Sequence, residues 1–262
     1  MNRTSRLVRT GLMVSALMGS ACAADRSPVA PSATMSATDM STPPAPAPAP
    51  SPTPTPAPAP TPAPPAPATA RYVVVFDSPW SAATHPVDFP ATSHFSKLVG
   101  GTHNSSAVFW REGELASQGI KQMAESGRTS PLDSEIAAAI ASGTAERVFT
   151  GEGMDRTPGS LSLQFEISQR YPLVTLVSMV APSPDWFVGV SGLSLFEGGQ
   201  WVDQKRIDLV PWDAGTDSGT TFMSPDLATR PPVPISRILT APLSPGGVVT
   251  PLGTFTFMRM TN

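Results

Sequence analysis

The chain has 262 residues, of which 32 are proline, with 17 basic and 20 acidic side chains and a charged fraction of 14%. Proline at that density removes a long stretch from any core, leaving room for one medium-sized domain, and the near-balanced, sparse charge offers no basic patch for a phosphate backbone. Nucleic acid is excluded as an expected partner, and a single cysteine excludes an internal disulfide.

In chain order, Arg3, Arg6 and Arg9 precede a short apolar run, Gly11 to Met18, and then small residues through Ala24. That order predicts an export signal over residues 1–23, its apolar run too short to span a bilayer. Cys22 stands where a lipoprotein signal places its acylated residue, so lipid attachment there would give membrane anchoring at the cell envelope. Gly19 departs from the bulky residue usual three positions earlier. The alternative is cleavage after Ala21-Cys22-Ala23, which discards the cysteine and leaves a secreted product. Residues 24–70 are Pro, Ala, Ser and Thr, with alternating prolines from Pro43. They predict a disordered, semi-rigid polyproline II linker reaching roughly 80 Å in its dense part.

Residues 71–262 carry the folded pattern. Tyr72 to Phe76 reads as a buried strand. His85, His94 and His103 follow at equal nine-residue intervals, a spacing that fits neither a helical face nor a short zinc pairing, and they read as hydrogen-bonded structural residues. Leu115, Ile120, Met123 and Ala124 suit a helix stopped by Gly127. A second helix is marked by Ser130 as cap, Pro131, a capping box through Asp133, Ile136 and Ile140 on one face, and Gly143 as terminator. The period then changes to two: Leu161, Leu163, Phe165 and Ile167 alternate with polar residues, and Leu173 to Val180 is apolar enough for a central strand. Trp186 to Val190 begins the return, with Trp186 as a core plug. Residues 193–196 and 201–209 read as a hairpin with Lys205 and Arg206 on its solvated edge, 220–223 as a strand, and Thr254 to Met258 as the closing strand.

The stretch Ala181 to Gly219 carries the chemistry. Asp185 lies in a Pro-rich loop, and Asp213 and Asp217 lie four apart in a Gly-rich loop, separated from the first by about two strands and a turn at Glu197-Gly198-Gly199-Gln200. A sheet can bring both loops to one end. Three crowded carboxylates repel unless a cation neutralises them, which points to an oxygen-ligated ion such as Ca²⁺; Mg²⁺ would use the same donors. The alternative is that they are ordinary turn-capping aspartates.

The strings SMVAPSPDWFVGVSGLSL and DLVPWDAGTDSGTTF, with FDSPWSAATHP, SHFSKLVGGTHN and FWREGELASQGIKQMAESG before them, resemble the spondin N-terminal domain, a module that also occurs alone in bacterial secreted proteins. The resemblance covers roughly residues 71–225. It implies a mainly β fold, an antiparallel, C2-like β-sandwich, to which the two short helices read above belong, and a Ca²⁺ at one end whose aspartates fall on Asp185, Asp213 and Asp217. Animal members carry cysteines absent here. They act in matrix adhesion and cell recognition, so the resemblance implies a non-catalytic, calcium-dependent binding module engaging extracellular matrix, glycan or an envelope component. No Ser-His-Asp order, P-loop or H-E-x-x-H motif is present. Two alternatives stand beside this: a metal-dependent hydrolase using the same aspartates with a loop histidine such as His103 as base, and a metal that only ties loops together.

Overall fold

The computed structural model describes residues 65–261. The export signal, Cys22 and nearly all of the proline-rich linker lie outside the described residues.

The fold rests on two antiparallel sheets. In β1 (Thr69–Ser78) every second side chain is buried, and Tyr72, Val74 and Phe76 are wholly excluded from solvent. Pleating sends alternate residues to opposite faces, so this strand has one dry and one wet face. Downstream come β2 (His94–Phe95), β3 (Val99–His103), α1 (Gln118–Ser126), α2 (Leu132–Ala141), β4 (Ala145–Thr150) and β5 (Gly159–Ser168). Then follow β6 (Leu173–Ala181), β7 (Trp186–Ser194), β8 (Phe196–Glu197), β9 (Gln200–Trp201), β10 (Gln204–Leu209), β11 (Trp212–Asp213), β12 (Ser236–Arg237) and β13 (Gly253–Arg259). One sheet has four strands in the order β10-β13-β1-β5, and the other has seven, β12-β11-β7-β6-β3-β4 with β2 beside β6.

The first sheet's inner face meets the second across one apolar cluster containing Phe76, Phe255, Phe257, Val174, Leu176 and Val180, with the Phe76 and Phe255 rings edge to face at 5.1 Å. The second sheet's other face is also dry. Val177, Met179 and Phe187 point there into a second cluster with Ile120 and Met123 of α1 and Leu132 and Ile136 of α2. The helices therefore cover the sheet's outer face, which is why the β6 sequence is apolar without alternation.

Several local expectations are corrected. Leu115 lies ahead of α1 and is 62% exposed; the helix starts at Ser117, whose hydroxyl accepts from Ile120 N (3.1 Å), and stops at left-handed Gly127 as expected. At α2 the capping box does not form. Pro131 occupies the cap position without a side-chain bond, Asp133 Oδ1 accepts from the adjacent Ser134 N, and Glu135 turns away to accept from Ser117 Oγ and Gly119 N of α1, both at 2.7 Å. The orphan donors at the start of α1 outcompete those of Glu135's own helix. Residues 193–196 and 201–209 pair only at their near ends, Phe196 with Trp201 and Leu195 O with Val202 N. The hairpin is the short β8–β9 around Gly198-Gly199, both in the left-handed region, while β10 crosses to the four-stranded sheet as its edge. Thr220 to Met223 is a turn, because Ser224 Oγ accepts from Thr220 N and Thr221 N and closes the chain on itself. The closing strand forms as expected, as β13, and lies between β10 and β1, inside its sheet.

Candidate metal-binding tip

The β6–β7 connection and the chain leaving β11 meet at one end of the seven-stranded sheet. Ser183 Oγ accepts from Trp186 N (3.1 Å), folding the Pro-Ser-Pro segment into a turn that delivers Asp185 into the interior. Trp186 is buried and T-stacks on Phe222 at 5.3 Å, the core plug expected of it. Trp212 pairs with Phe187 and Asp213 with Trp186 across the β7–β11 ladder, so register alone places Asp213 beside the Asp185 turn.

Asp185 organises the tip. It is completely buried, and its Oδ2 accepts from Thr216 N (2.7 Å), Asp217 N (3.0 Å) and Thr216 Oγ1 (3.2 Å), while its backbone carbonyl accepts from Ala214 N (3.1 Å). Its other oxygen, Oδ1, is buried and has no hydrogen-bond partner. Burial first, then the negative charge of Asp213, push its pKa up to about 6, against the pull of the three donors. Half-buried Asp213 accepts from Gly215 N through Oδ1 (2.7 Å), and burial lifts its pKa, with Gly215 N–H opposing and the Asp217 charge adding to the rise. Asp217 takes Gly219 N on Oδ1 and Leu227 N on Oδ2, both at 2.7 Å. Gly215 has φ of +73°, and a Cβ there would fall 2.0 Å from Val233 O, so only glycine lets the loop close between Asp213 and Asp217.

The three predicted carboxylates thus lie on one loop system, coupled in sequence Asp185 to Asp213 to Asp217. Among the described residues, every ion pair lies elsewhere, so no Lys or Arg neutralises them. Also among the described residues, no three His, Cys, Asp or Glu side chains stand as a ready-made ligand set. An ion at this tip needs backbone carbonyls and water beside the carboxylates, a mixture that Ca²⁺ accepts. The buried, unpartnered Asp185 Oδ1 fits such an ion, because a polar atom deprived of water is costly unless something pairs with it.

The histidines do not gather. His85 bonds Thr84 Oγ1 (3.0 Å) and Thr250 O (3.3 Å), His94 bonds Thr92 O (2.7 Å), and buried His103 bonds Asn104 O (2.9 Å) and Thr175 Oγ1 (2.8 Å). His103 pairs with Leu173, at the start of β6, whereas Asp185 follows its end, so at about 3.3 Å per residue the two are separated by roughly 26 Å of strand. His103 therefore cannot serve as a base beside the carboxylates, which corrects that assignment. Sequence reasoning missed Thr216, which gives both N–H and hydroxyl to Asp185; its place between Asp213 and Asp217 was the available signal.

The family model Spondin_N matches residues 70–246 of this chain. The chain belongs to the spondin N-terminal domain family. Spondin-2 of Rattus norvegicus is 39% identical over 173 residues, covering 64% of this chain and 52% of that protein, and spondin-2 of Homo sapiens is 38% identical over the same length. Spondin-1 of Gallus gallus is 36% identical over 176 residues, 65% of this chain and 22% of its own length. The chain thus spans about half of the spondin-2 proteins and less than a quarter of that spondin-1. Among its described residues no helix is long and apolar enough to cross a membrane.

Proposed function

We propose that this spondin domain is a non-catalytic, calcium-dependent binding module, exported and displayed at the cell envelope or secreted, that engages extracellular matrix, a glycan or an envelope component. One observation carries the reading: Asp185 Oδ1 is buried, unpartnered and next to a second carboxylate. Asp185, Asp213 and Asp217 are the proposed ligands, Asp217 through lone pairs left free by Gly219 and Leu227. The ion would cancel the repulsion within the trio and offer its remaining coordination positions to an anionic or hydroxyl-bearing group of the partner. The separation of His103 from the trio argues against the hydrolase alternative. Where Cys22 is lipidated, the proline-rich segment would hold the domain off the membrane.

Calcium titration by calorimetry, paired with adhesion to matrix-coated and glycan-coated surfaces in calcium or chelator, tests the proposal. One-site binding that Asp213→Asn abolishes, together with calcium-dependent adhesion, supports it. Calcium binding with adhesion unchanged by chelator would reduce the ion to a loop tie, and no calcium binding would remove the reading altogether. Mass spectrometry of the mature N-terminus decides the anchor: an unmodified Ala24 start eliminates lipid at Cys22.

A further inference from the structure

A cleft of about 600 Å³ contains none of the three aspartates. Its origin is a strand that changes sheets. After β10 the chain leaves the four-stranded sheet, passes through Val210 and Pro211, and enters the seven-stranded sheet as β11. Proline has no N–H for a ladder, and β11 covers only Trp186 and Phe187 of β7. Beyond those two residues the outer edge of β7 has no strand beside it, and among the described residues the backbone of 188–194 makes no backbone hydrogen bond except to β6. Five consecutive residues, Gly189 to Leu193, line the cleft, together with Ile207 and Asp208 of β10 opposite. A strand seen face-on would contribute every second residue; five in a row means the cleft looks onto the edge of β7. β10 is likewise the terminal strand of its sheet.

Chemistry narrows the occupant. Trp110 lines the cleft and is buried, its indole N–H shut away from solvent, so it gives the cleft an apolar wall and not a donor. Its ring is fixed edge to face against Trp212 at 5.3 Å, and Ser191 Oγ holds its carbonyl at 2.5 Å, so that wall stands on a rigid support. The rim is charge-balanced: Arg237 lies over Trp212 (5.1 Å) and near Glu112 (3.8 Å), while Arg111 and Asp208 complete two cations and two anions. That balance disfavours a polyanion and suits an uncharged backbone.

We propose that this cleft binds an extended peptide segment of a partner protein, about five residues long, which adds to the free edge of β7 as a further strand. Main-chain pairing to an open sheet edge supplies the affinity, and the side-chain surroundings on alternate positions supply the selectivity. The site needs no metal, so its fate is separable from that of the acidic tip.

The test uses a linear heptapeptide library displayed on phage, selected against the full chain in chelator. Synthetic copies of selected peptides should slow amide exchange over Gly189 to Leu193 by at least about tenfold. Val108→Trp, a change at a cleft residue that is 44% exposed, should abolish their binding while leaving the melting temperature unchanged. Selection of no peptide, peptides that bind Val108→Trp as well as wild type, or unaltered exchange along β7 would each overturn the proposal. Oligosaccharides that bind wild type and not Val108→Trp, with no peptide doing so, would overturn it in favour of a glycan.

Discussion

Replacing Asp185 by asparagine should change the stability of the domain in opposite directions with and without calcium. In chelator near pH 7 the wild type holds an ionised carboxylate whose pKa has been driven from 3.8 to about 6 by burial and the Asp213 charge. A rise of two units corresponds to about 3 kcal/mol of destabilisation of the charged form. Asparagine removes that charge, keeps an acceptor for Thr216 N, Asp217 N and Thr216 Oγ1, and places an amide donor where Oδ1 has no partner. Weaker bonds to a neutral oxygen offset part of the relief, leaving a net gain of about 1–2 kcal/mol, or roughly 2–8 °C in Tm for a domain of this size. With about 10 mM calcium and a Kd near 0.1 mM, the wild type should instead gain about 2.7 kcal/mol that the variant cannot. Differential scanning calorimetry of both proteins in both buffers reads the crossing directly. An Asp185→Asn variant that is less stable by the same amount in chelator and in calcium would refute the reasoning, because Oδ1 would then be neither a strained charge nor a ligand.

Other outcomes follow from the same geometry. In chelator the Asp185 carboxyl binds its proton more tightly folded than unfolded, so its contribution to stability should be greatest below about pH 4 and decline as pH rises to about 6; urea melts across that window, compared with Asp185→Asn, check the sign. Gly215→Ala should cost about 2 kcal/mol or more in chemical melts, since its Cβ meets Val233 O at 2.0 Å, whereas Gly198→Ala, with left-handed φ and open space, should cost about 1 kcal/mol. His103→Ala should lower stability by about 2 kcal/mol by removing the buried bond to Thr175 Oγ1, which keeps only Gly192 N, yet leave calcium affinity by calorimetry unchanged, since the two sites occupy opposite ends of β6.

What the sequence displayed and what it concealed divide along physical lines. Alternation exposed β5 and β13 because each has one wet face, and the unbroken apolar run exposed β6 because helices dry its second face; Tyr72 to Phe76 of β1 read as fully buried, yet its alternate residues face water. Left-handed glycines marked real ends at Gly127 and Gly143. Competition between partners was invisible: Asp133 and Glu135 sit at equally plausible capping positions in one dimension, and only the docking of α1 on α2 sends Glu135 to the neighbouring helix. Thr220 to Met223 has strand composition, but Ser224 closes it into a turn that drives Phe222 against Trp80 and Trp186. The three aspartates could be named because charge crowding is a property of residue type. The cleft could not, because it follows from which sheet β10 joins.

The acidic tip and the cleft are products of the same chain segment, and that relation constrains how the domain works. Residues 204–217 first form the edge of one sheet, cross at Pro211, and then close on Asp185 through Ala214, Thr216 and Asp217. Trp212 belongs to the cleft, while its neighbour Asp213 belongs to the tip, and both are fixed by a two-residue ladder against Trp186 and Phe187. A ladder so short holds its place because it is anchored at both ends, by Arg237 pairing with Trp212 on one flank and by the Asp185 hydrogen bonds on the other. Neutralising the tip with an ion therefore stiffens the strand that also bounds the cleft, so calcium should raise peptide affinity at the cleft modestly without touching it. Titrating a selected peptide in calcium and in chelator measures that coupling, and identical affinities in the two would show that the β11 ladder is already rigid without the ion.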